Sequence, residues 1–193
     1  MNTLKKSALA LTALGLAACG YIPENPPPAC EGQTCTVEEG DVLVTVVDAT
    51  HEENFVALDL DKGGALAEGA STWDLRFRRS VVWSNGGETG EGGVEVAVLD
   101  DVAFDEVTRA PADGYLVDSA ELDRRDNPET AFQQEGAWYD YNLLTHVLSA
   151  TPDRVYVVKT TDEAFFKLAF RDYYDAEGTA GHVSFQWAAV AAP

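Results

Sequence analysis

The sequence predicts a mostly β protein with a single antiparallel β-rich domain, and three observations support this fold class. First, apolar residues recur with a period of two rather than 3.6 along much of the chain after position 41. Second, three strand-like segments near the C-terminus are separated only by short turn-like sequences, which indicates an antiparallel meander. Third, no stretch of about twelve residues or more shows a convincing helical stripe, and no internal repeat is visible.

Each predicted strand follows from this alternation. The first half of the chain contains four such patterns, carried by Val42, Val44 and Val46; by Val56, Leu58 and Leu60; by Trp73, Leu75 and Phe77; and by Val94, Val96 and Val98. The C-terminal meander is predicted at residues 155–161, 165–173 and 182–190. Residues 119–134 are less regular, and Asn127-Pro128 is a possible start for a short helical turn there.

The N-terminus is typical of a bacterial lipoprotein signal peptide. Lys5 and Lys6 precede a short apolar run from Ala8 to Leu16, and the small residues Ala17 and Ala18 stand directly before Cys19. The apolar run is too short to span a bilayer permanently, and small residues suit a signal peptidase. We therefore expect residues 1–18 to be a signal peptide and Cys19 to become the lipidated first residue.

Lipidation predicts where the mature chain resides. More than one acyl chain gives stable membrane attachment, so no further anchor is needed and the lipid is the only expected membrane contact. Gly20, rather than an aspartate, follows the cysteine, which favours the outer membrane of a Gram-negative cell. We expect an outer membrane lipoprotein, on the cell surface or the periplasmic face.

Residues 19–40 are expected to form a lipidated, acidic, proline-rich tether ahead of a β-rich domain at residues 41–193. The prolines at 23 and 26–28 favour a stiff, extended spacer. Cys30 and Cys35 are predicted to form a disulfide, because exported compartments oxidise paired thiols. The alternative is a metal site, but zinc takes about four ligands and no histidine or third cysteine lies nearby in the sequence.

The chain is strongly acidic, with a formal net charge of −20 that becomes −22 when Lys5 and Lys6 leave with the signal peptide. Such a charge repels nucleic acid phosphates and anionic lipid headgroups. It favours cations or a basic receptor surface, or simply keeps the protein soluble. Calcium-dependent adhesion is a further possibility that rests on this charge alone, since Asp59-Leu60-Asp61-Lys62-Gly63 lacks the later acidic ligand of an EF-hand and is better interpreted as a turn.

Four segments in order resemble the HmuY family, bacterial surface lipoproteins that capture haem. They are residues 72–77 (TWDLRF), residues 84–93 (SNGGETGEGG), residues 138–141 (WYDY), and residues 156–160 (YVVKT) with residues 166–168 (FKL). The resemblance covers roughly Val42 to Val190. It implies an all-β domain that holds haem, or a related porphyrin, near one end and passes it to an outer-membrane receptor.

Haem binding needs axial donors for iron, and few are available in the mature chain. The sole methionine, Met1, leaves with the signal peptide, so the donors left are three histidines and the tyrosines. His51 lies beside acidic residues, and His182 lies on the polar side of a predicted strand. His146, among apolar residues in the segment that supplies axial ligands in the family, is the best candidate. The second position is then filled by Tyr115, by another tyrosine, by water or by nothing, and Tyr115 is the named candidate.

Other residues are candidates for contacts with the porphyrin itself. Trp138, Tyr139 and Tyr141 are candidate walls of the slot, and the candidate cations for the propionates are Arg109, Arg124 and Arg125.

Enzymatic functions are not supported by the sequence. It contains no Gly-x-Ser-x-Gly, no His-Glu-x-x-His and no Cys-His pair. The glycine-rich segment from Gly86 to Gly93 is not followed by a helix that would make it a phosphate loop, and it is better interpreted as a flexible loop that joins two strands. We expect a non-catalytic binding protein. The alternative is a surface interaction or envelope lipoprotein that keeps the fold without binding haem.

Overall fold

The computed structural model describes residues 21–122 and 128–193. Within these residues the chain forms thirteen strands, which are β1 (Thr34–Glu39), β2 (Val42–Asp48), β3 (Val56–Asp59), β4 (Ala65–Leu66), β5 (Leu75–Arg78), β6 (Val81–Ser84), β7 (Glu95–Leu99), β8 (Tyr115–Leu116), β9 (Tyr139–Asn142), β10 (Val147–Ala150), β11 (Val155–Lys159), β12 (Phe165–Tyr174) and β13 (Ala180–Ala189). One 3-10 helix, Phe104–Glu106, lies between β7 and β8. The mostly β prediction is confirmed. No helix in these residues combines the length and apolar character needed to cross a bilayer.

The strands form two sheets and a separate hairpin. The larger sheet has seven strands in the order β1-β2-β13-β12-β11-β7-β8, and the smaller has four in the order β4-β3-β5-β6. Strands β9 and β10 pair only with each other. All strand pairs are antiparallel, as expected for a chain whose consecutive strands are joined by short turns.

The main core lies where the inner faces of the two sheets meet. Phe77 of β5 and Phe185 of β13 stack with ring centroids 5.5 Å apart, and both are fully buried. Their neighbours along each strand alternate between the core and the outer face, because successive side chains point to opposite sides of a strand. The period-two patterns therefore predict which residues are buried.

The predicted strands correspond to observed ones. The four patterns of the first half fall on β2, β3, β5 and β7, and the meander is formed by β11, β12 and β13. In the irregular segment, the amides of Gln133 and Gln134 both donate to the carbonyl of Thr130, which makes a turn and not a helix. Asn127, the proposed start of a helical turn, lies outside the described residues.

The large sheet begins earlier than the expected domain start at residue 41. Strand β1 pairs with β2 along its whole length, from Thr34 opposite Val47 to Glu39 opposite Val42. Cys30 and Cys35 are joined by a disulfide, as predicted. Pro23 and Pro27 are buried against the domain, since their rings are apolar surface that the fold covers. This part of the expected tether is therefore packed on the domain. Cys19 lies outside the described residues.

The glycine-rich segment between β6 and β7 is held by two polar side chains. The Asn85 side-chain amide donates to the carbonyl of Trp73, and its oxygen accepts from the amide of Gly92. The buried Asp118 carboxylate accepts from the amide and hydroxyl of Ser84 and from the hydroxyl of Thr89. The sequence suggested a flexible loop here, but these bonds give it a defined path beside the small sheet.

Candidate functional site

A cavity of about 540 Å³ lies where the isolated hairpin meets the two sheets. The β5–β6 turn, the hairpin, the end of β12 and the start of β13 all contribute to it. Its lining is Glu52, Arg78, Arg79, Ser80, Val81, His146, Leu148, Tyr173, Tyr174 and Ala180. The volume is within the roughly 300–1,000 Å³ typical of small-molecule sites.

The β9–β10 hairpin places His146 at this cavity. Its tip comprises residues 143–146, between Asn142 and Val147, which pair. The Asn142 side-chain oxygen accepts from the amides of Leu144 and Thr145, at 2.9 and 3.2 Å, and the backbone amide of His146 donates to the Asn142 carbonyl at 2.8 Å. These bonds shape the tip and leave His146 with a positive φ of 58°, a conformation that is uncommon for a residue other than glycine.

The His146 ring is held by a neighbouring tyrosine. Its Nδ1 atom lies 2.5 Å from the hydroxyl of Tyr141, and Tyr141 is not among the residues that line the cavity. Among the described residues the Nε2 atom has no hydrogen-bond partner. When Nδ1 carries the proton and donates it to Tyr141, Nε2 keeps the lone pair that a metal needs. The pair therefore leaves Nε2 as the available donor.

Two consecutive arginines contribute positive charge to the cavity lining, which also contains the acidic Glu52. Arg78 ends β5 opposite Val81, so Arg79 and Ser80 form a two-residue turn. Arg79 has a positive φ of 52°, and its guanidinium donates to the carbonyls of Thr50 and Ala180, both at 3.3 Å. The Arg78 guanidinium lies 4.5 Å from the centre of the Phe55 ring. In so acidic a chain, this concentration of cations suits an anionic group on a ligand.

The remaining wall is largely aromatic and aliphatic. Tyr173 and Tyr174 meet edge to face with centroids 5.4 Å apart, and the Tyr174 hydroxyl accepts a hydrogen bond from the amide of Leu148 at 3.1 Å. A ring nitrogen can ligate haem iron, guanidinium groups can pair with its propionates, and an apolar wall can pack against the porphyrin. The residues at this cavity thus fit a porphyrin that carries carboxylates.

The three predicted slot residues have different surroundings. Trp138 is only 1 % exposed, because its ring stacks on Phe170 with centroids 4.3 Å apart and its Nε1 donates to the carbonyl of Ser80. Tyr139 is half-buried beside Trp138, and Tyr141 is exposed next to His146. Trp138 is therefore a core residue beneath the site, and the observed wall is made by Tyr173 and Tyr174.

Tyr115 lies on β8, in a second hydrophobic cluster that also contains Phe165. Its hydroxyl is buried without a hydrogen-bond partner among the described residues. Burial and the nearby Glu95 carboxylate both raise the pKa of Tyr115. Ferric iron prefers a deprotonated tyrosine, and these surroundings disfavour that form.

Arg109, His51 and His182 are not among the residues that line the cavity. Arg109 pairs with the C-terminal residues and donates to the carbonyl of Ala192. His51 is exposed and accepts from the amides of Glu53 and Asn54, while His182 contacts Asp175. Arg124 and Arg125 are outside the described residues.

Sequence patterns did not single out Arg78, Arg79, Tyr173 or Tyr174. The available signal was the rarity of basic residues, since 13 lysines and arginines oppose 33 acidic residues. Arg78-Arg79 is one of the two pairs of adjacent arginines, and the other is Arg124-Arg125. Tyr173 and Tyr174 end a strand at the edge of the core, where a strand pattern alone cannot tell a wall from a buried residue.

A group of three carboxylates occurs elsewhere, in Asp59, Asp61 and Asp74. Lys62 already lies 2.9 Å from Asp59. The Asp74 carboxylate accepts from the amides of Leu60 and Thr161, although burial raises its pKa. These bonds connect the residues after β3 and after β11 to Asp74, directly before β5, so the group has a structural role, in line with the expected turn.

Solved structures share this fold. The HmuY analogue of Tannerella forsythia in its apo form superposes with a TM-score of 0.57 at 18% identity, covering 81% of this chain and 96% of that one. A candidate lipoprotein of Bacteroides fragilis gives 0.55 at 17% identity, covering 79% and 91%. A candidate HmuY-like haem-binding protein of Bacteroides vulgatus gives 0.50 at 19% identity, covering 76% and 91%.

No curated protein is significantly similar to the chain in sequence. The match to a family is extensive, however, because residues 44–187 fit the family described as HmuY protein. That span runs from within β2 to within β13, so it leaves out β1 but includes the small sheet, the hairpin and every residue at the cavity. The family resemblance of the sequence is thereby confirmed, and the chain belongs to the HmuY family.

Proposed function

We propose that this protein binds haem, or a related porphyrin, in the cavity beside the β9–β10 hairpin and does so without catalysis. The proposal rests on the observation that His146, Arg78 and Arg79 all line one cavity of suitable volume. Membership of the HmuY family supports it. One of the structurally similar proteins, from Bacteroides vulgatus, is itself described as a haem-binding candidate.

In this proposal each group has a separate role. Haem supplies an iron atom that accepts a nitrogen lone pair. His146 offers Nε2, and Tyr141 fixes the imidazole by its contact with Nδ1. Arg78 and Arg79 would hold the propionate carboxylates, and Tyr174 would contribute apolar surface for the porphyrin. Among the described residues of the cavity lining, His146 alone carries an imidazole, so we propose one histidine donor and do not assign the second position to Tyr115.

The protein is further proposed to act at the outer membrane, attached through a lipid on Cys19. The Lys5-Lys6 start, the apolar run and Ala17-Ala18-Cys19 support this attachment. The structural similarity to a candidate lipoprotein of Bacteroides fragilis agrees with it. Haem would then be passed to an outer-membrane receptor, since a non-catalytic carrier must release its ligand to a second protein.

We expect substitution of His146 by alanine to weaken haem binding by at least about tenfold, because the iron loses its protein nitrogen. The chain from Gly20 onward is titrated with haem, and absorbance gives both affinity and the Soret position. His182→Ala is the matched control, since it removes another histidine whose ring is held by Asp175. Equal affinity and equal spectra for wild type and both variants would contradict the role of His146.

We expect Arg79→Gln to weaken haem binding by about tenfold but to leave binding of the dimethyl ester of haem nearly unchanged. The reason is that a charge-assisted hydrogen bond exists only to the free carboxylate. The affinities of haem and of its dimethyl ester are measured for wild type and for Arg79→Gln. These four values give the coupling energy between the Arg79 guanidinium and the propionate carboxylate. Arg109→Gln is the control at the C-terminal end. An equal loss for haem and for the ester would show that Arg79 does not act through propionate.

A second function is favoured by one observation at the hairpin tip. The side chains of Leu143 and Leu144 are 77% and 93% exposed. Adjacent exposed leucines on a short loop suit contact with another protein. If wild-type protein gives no Soret shift with haem, the fold serves such an interaction and not haem capture.

A further inference from the structure

The N-terminal segment from Tyr21 to Cys30, here called the strap, is packed on the domain. Pro23 and Pro27 are buried, and the strap ends at the disulfide that joins Cys30 to Cys35 of β1. Its first residue, Tyr21, makes three separate contacts with the end of the domain that holds the cavity. The strap therefore has a fixed place against this end of the fold.

The contacts of Tyr21 are specific. Its ring lies 4.6 Å from the ring of Tyr174, and its hydroxyl donates to Asp172 at 3.2 Å. Its carbonyl oxygen packs against Gly178 so closely that a Cβ atom at Gly178 would overlap it. These contacts place Tyr21 directly behind a residue that lines the cavity.

Asp172 connects the strap to the backbone of the aromatic wall. One carboxylate oxygen accepts from Tyr21, and the other accepts from the amides of Tyr173 and Tyr174, at 2.7 and 3.1 Å. Asp172 is 8% exposed, and this burial raises the pKa of its carboxyl group. Without Tyr21, one oxygen of this carboxylate would lose its hydrogen-bond donor.

Tyr174 carries the connection onward to the hairpin. Its hydroxyl accepts from the amide of Leu148 on β10. Because β9 and β10 pair with no other strand, the position of the hairpin depends on such contacts and on side-chain packing. A two-stranded hairpin has little stability of its own. The orientation of His146 at the cavity thus depends on Tyr174.

We propose that the strap is part of the ligand site and that Tyr21 is a positioning residue, which holds Tyr174 and, through it, the hairpin that carries His146. This inference rests on the proposed function because it takes haem as the ligand. The contacts between the strap, Tyr174 and the hairpin do not depend on which ligand binds. The tether-like sequence is then a functional part of the domain, and a domain cut at residue 41 lacks it.

Two readouts test the role of Tyr21. Tyr21→Ala is expected to weaken haem binding about three- to tenfold, the size of a lost aromatic contact, and to speed hydrogen exchange of the Leu148 amide in protein without haem. Tyr21→Phe keeps the ring, and we expect it to retain most of the haem affinity and most of the protection of the Leu148 amide. Ile22→Ala is the control, because the neighbouring Ile22 side chain is 71% exposed.

A glycine pair tests the same contact from the other side. Gly178 and Gly114 both have a φ of 82°, but a Cβ at Gly114 meets nothing within 4 Å. Alanine therefore introduces similar backbone strain at both positions and displaces the strap only at 178. We expect Gly178→Ala to speed exchange at Leu148, and Gly114→Ala to leave it unchanged.

The outcomes separate the two proposals. If Tyr21→Ala leaves haem affinity and Leu148 exchange unchanged while His146→Ala loses haem, the strap has no positioning role and the proposed function stands. Faster exchange throughout β2 and β13 as well as at Leu148 also overturns the strap role, because it indicates general loss of stability. If wild type fails to bind haem, the proposed function fails, and the exchange data alone decide whether the strap holds the hairpin.

Discussion

Replacing Asp118 with alanine is expected to lower the free energy of unfolding by about 3–5 kcal/mol, as for removal of one partner from a buried polar network. The carboxylate is 1% exposed and accepts four hydrogen bonds, from the amide and hydroxyl of Ser84, the hydroxyl of Thr89 and the amide of Ala131. Alanine leaves these donors without their acceptor. Urea unfolding followed by tryptophan fluorescence measures the difference.

The matched control for Asp118 is Asp113→Ala. Asp113 is exposed five positions earlier, so its replacement removes the same charge without opening a buried network. We expect a change within about 0.5 kcal/mol for this variant. Equal stabilities for the two variants would show that the carboxylate does not hold the glycine-rich segment against residue 131.

Asp118 also illustrates what the sequence could not reveal. The glycine-rich segment was expected to be flexible, because Gly and Glu residues dominate it and nothing local orders it. The group that orders it lies some thirty positions away, as the Ser84–Asp118 bonds show. Hydrophobic periodicity reports which face of a strand is buried, but it contains no information about a single long-range acceptor.

The strands too could be predicted from the sequence only in part. Those with strict alternation, such as β5 and β13, were predictable, because one face of each meets the core. Strand β1 was missed because prolines and a cysteine pair around it favoured a tether. The β9–β10 hairpin was missed because Tyr139–Asn142 is polar and mostly exposed, so it has no buried face to produce a pattern.

The candidate site could be predicted only in part. His146 was singled out because histidines are few and its neighbours are apolar. Its proposed partners come from distant elements: Arg79 from a turn with a positive φ, and Tyr174 from the end of β12. Arg79 and Tyr174 lie near His146 only because the hairpin packs against the end of β12. The contacts that hold it there, such as the bond from Leu148 to Tyr174 and the packing of Tyr21 on Tyr174, exist only in the folded chain.

Trp138→Ala is expected to lower the free energy of unfolding by about 3–5 kcal/mol, as for other buried tryptophans. The ring stacks on Phe170, and Nε1 donates to the carbonyl of Ser80 at 2.9 Å. Ser80 follows Arg79 in the turn, while Trp138 directly precedes β9. We therefore expect haem affinity to fall as well, since this tryptophan connects the turn that carries Arg79 to the hairpin that carries His146.

Trp138→Phe separates packing from the hydrogen bond. Phenylalanine keeps an aromatic ring against Phe170 but cannot donate to Ser80, so a smaller loss of about 1–2 kcal/mol is expected. Unfolding and haem titration are measured on both variants under the same conditions. If Trp138→Ala loses haem affinity while its stability matches wild type, the indole contacts the porphyrin directly, as the sequence alone suggested. A parallel loss of both quantities places Trp138 beneath the site, where it supports the two elements that bind the ligand.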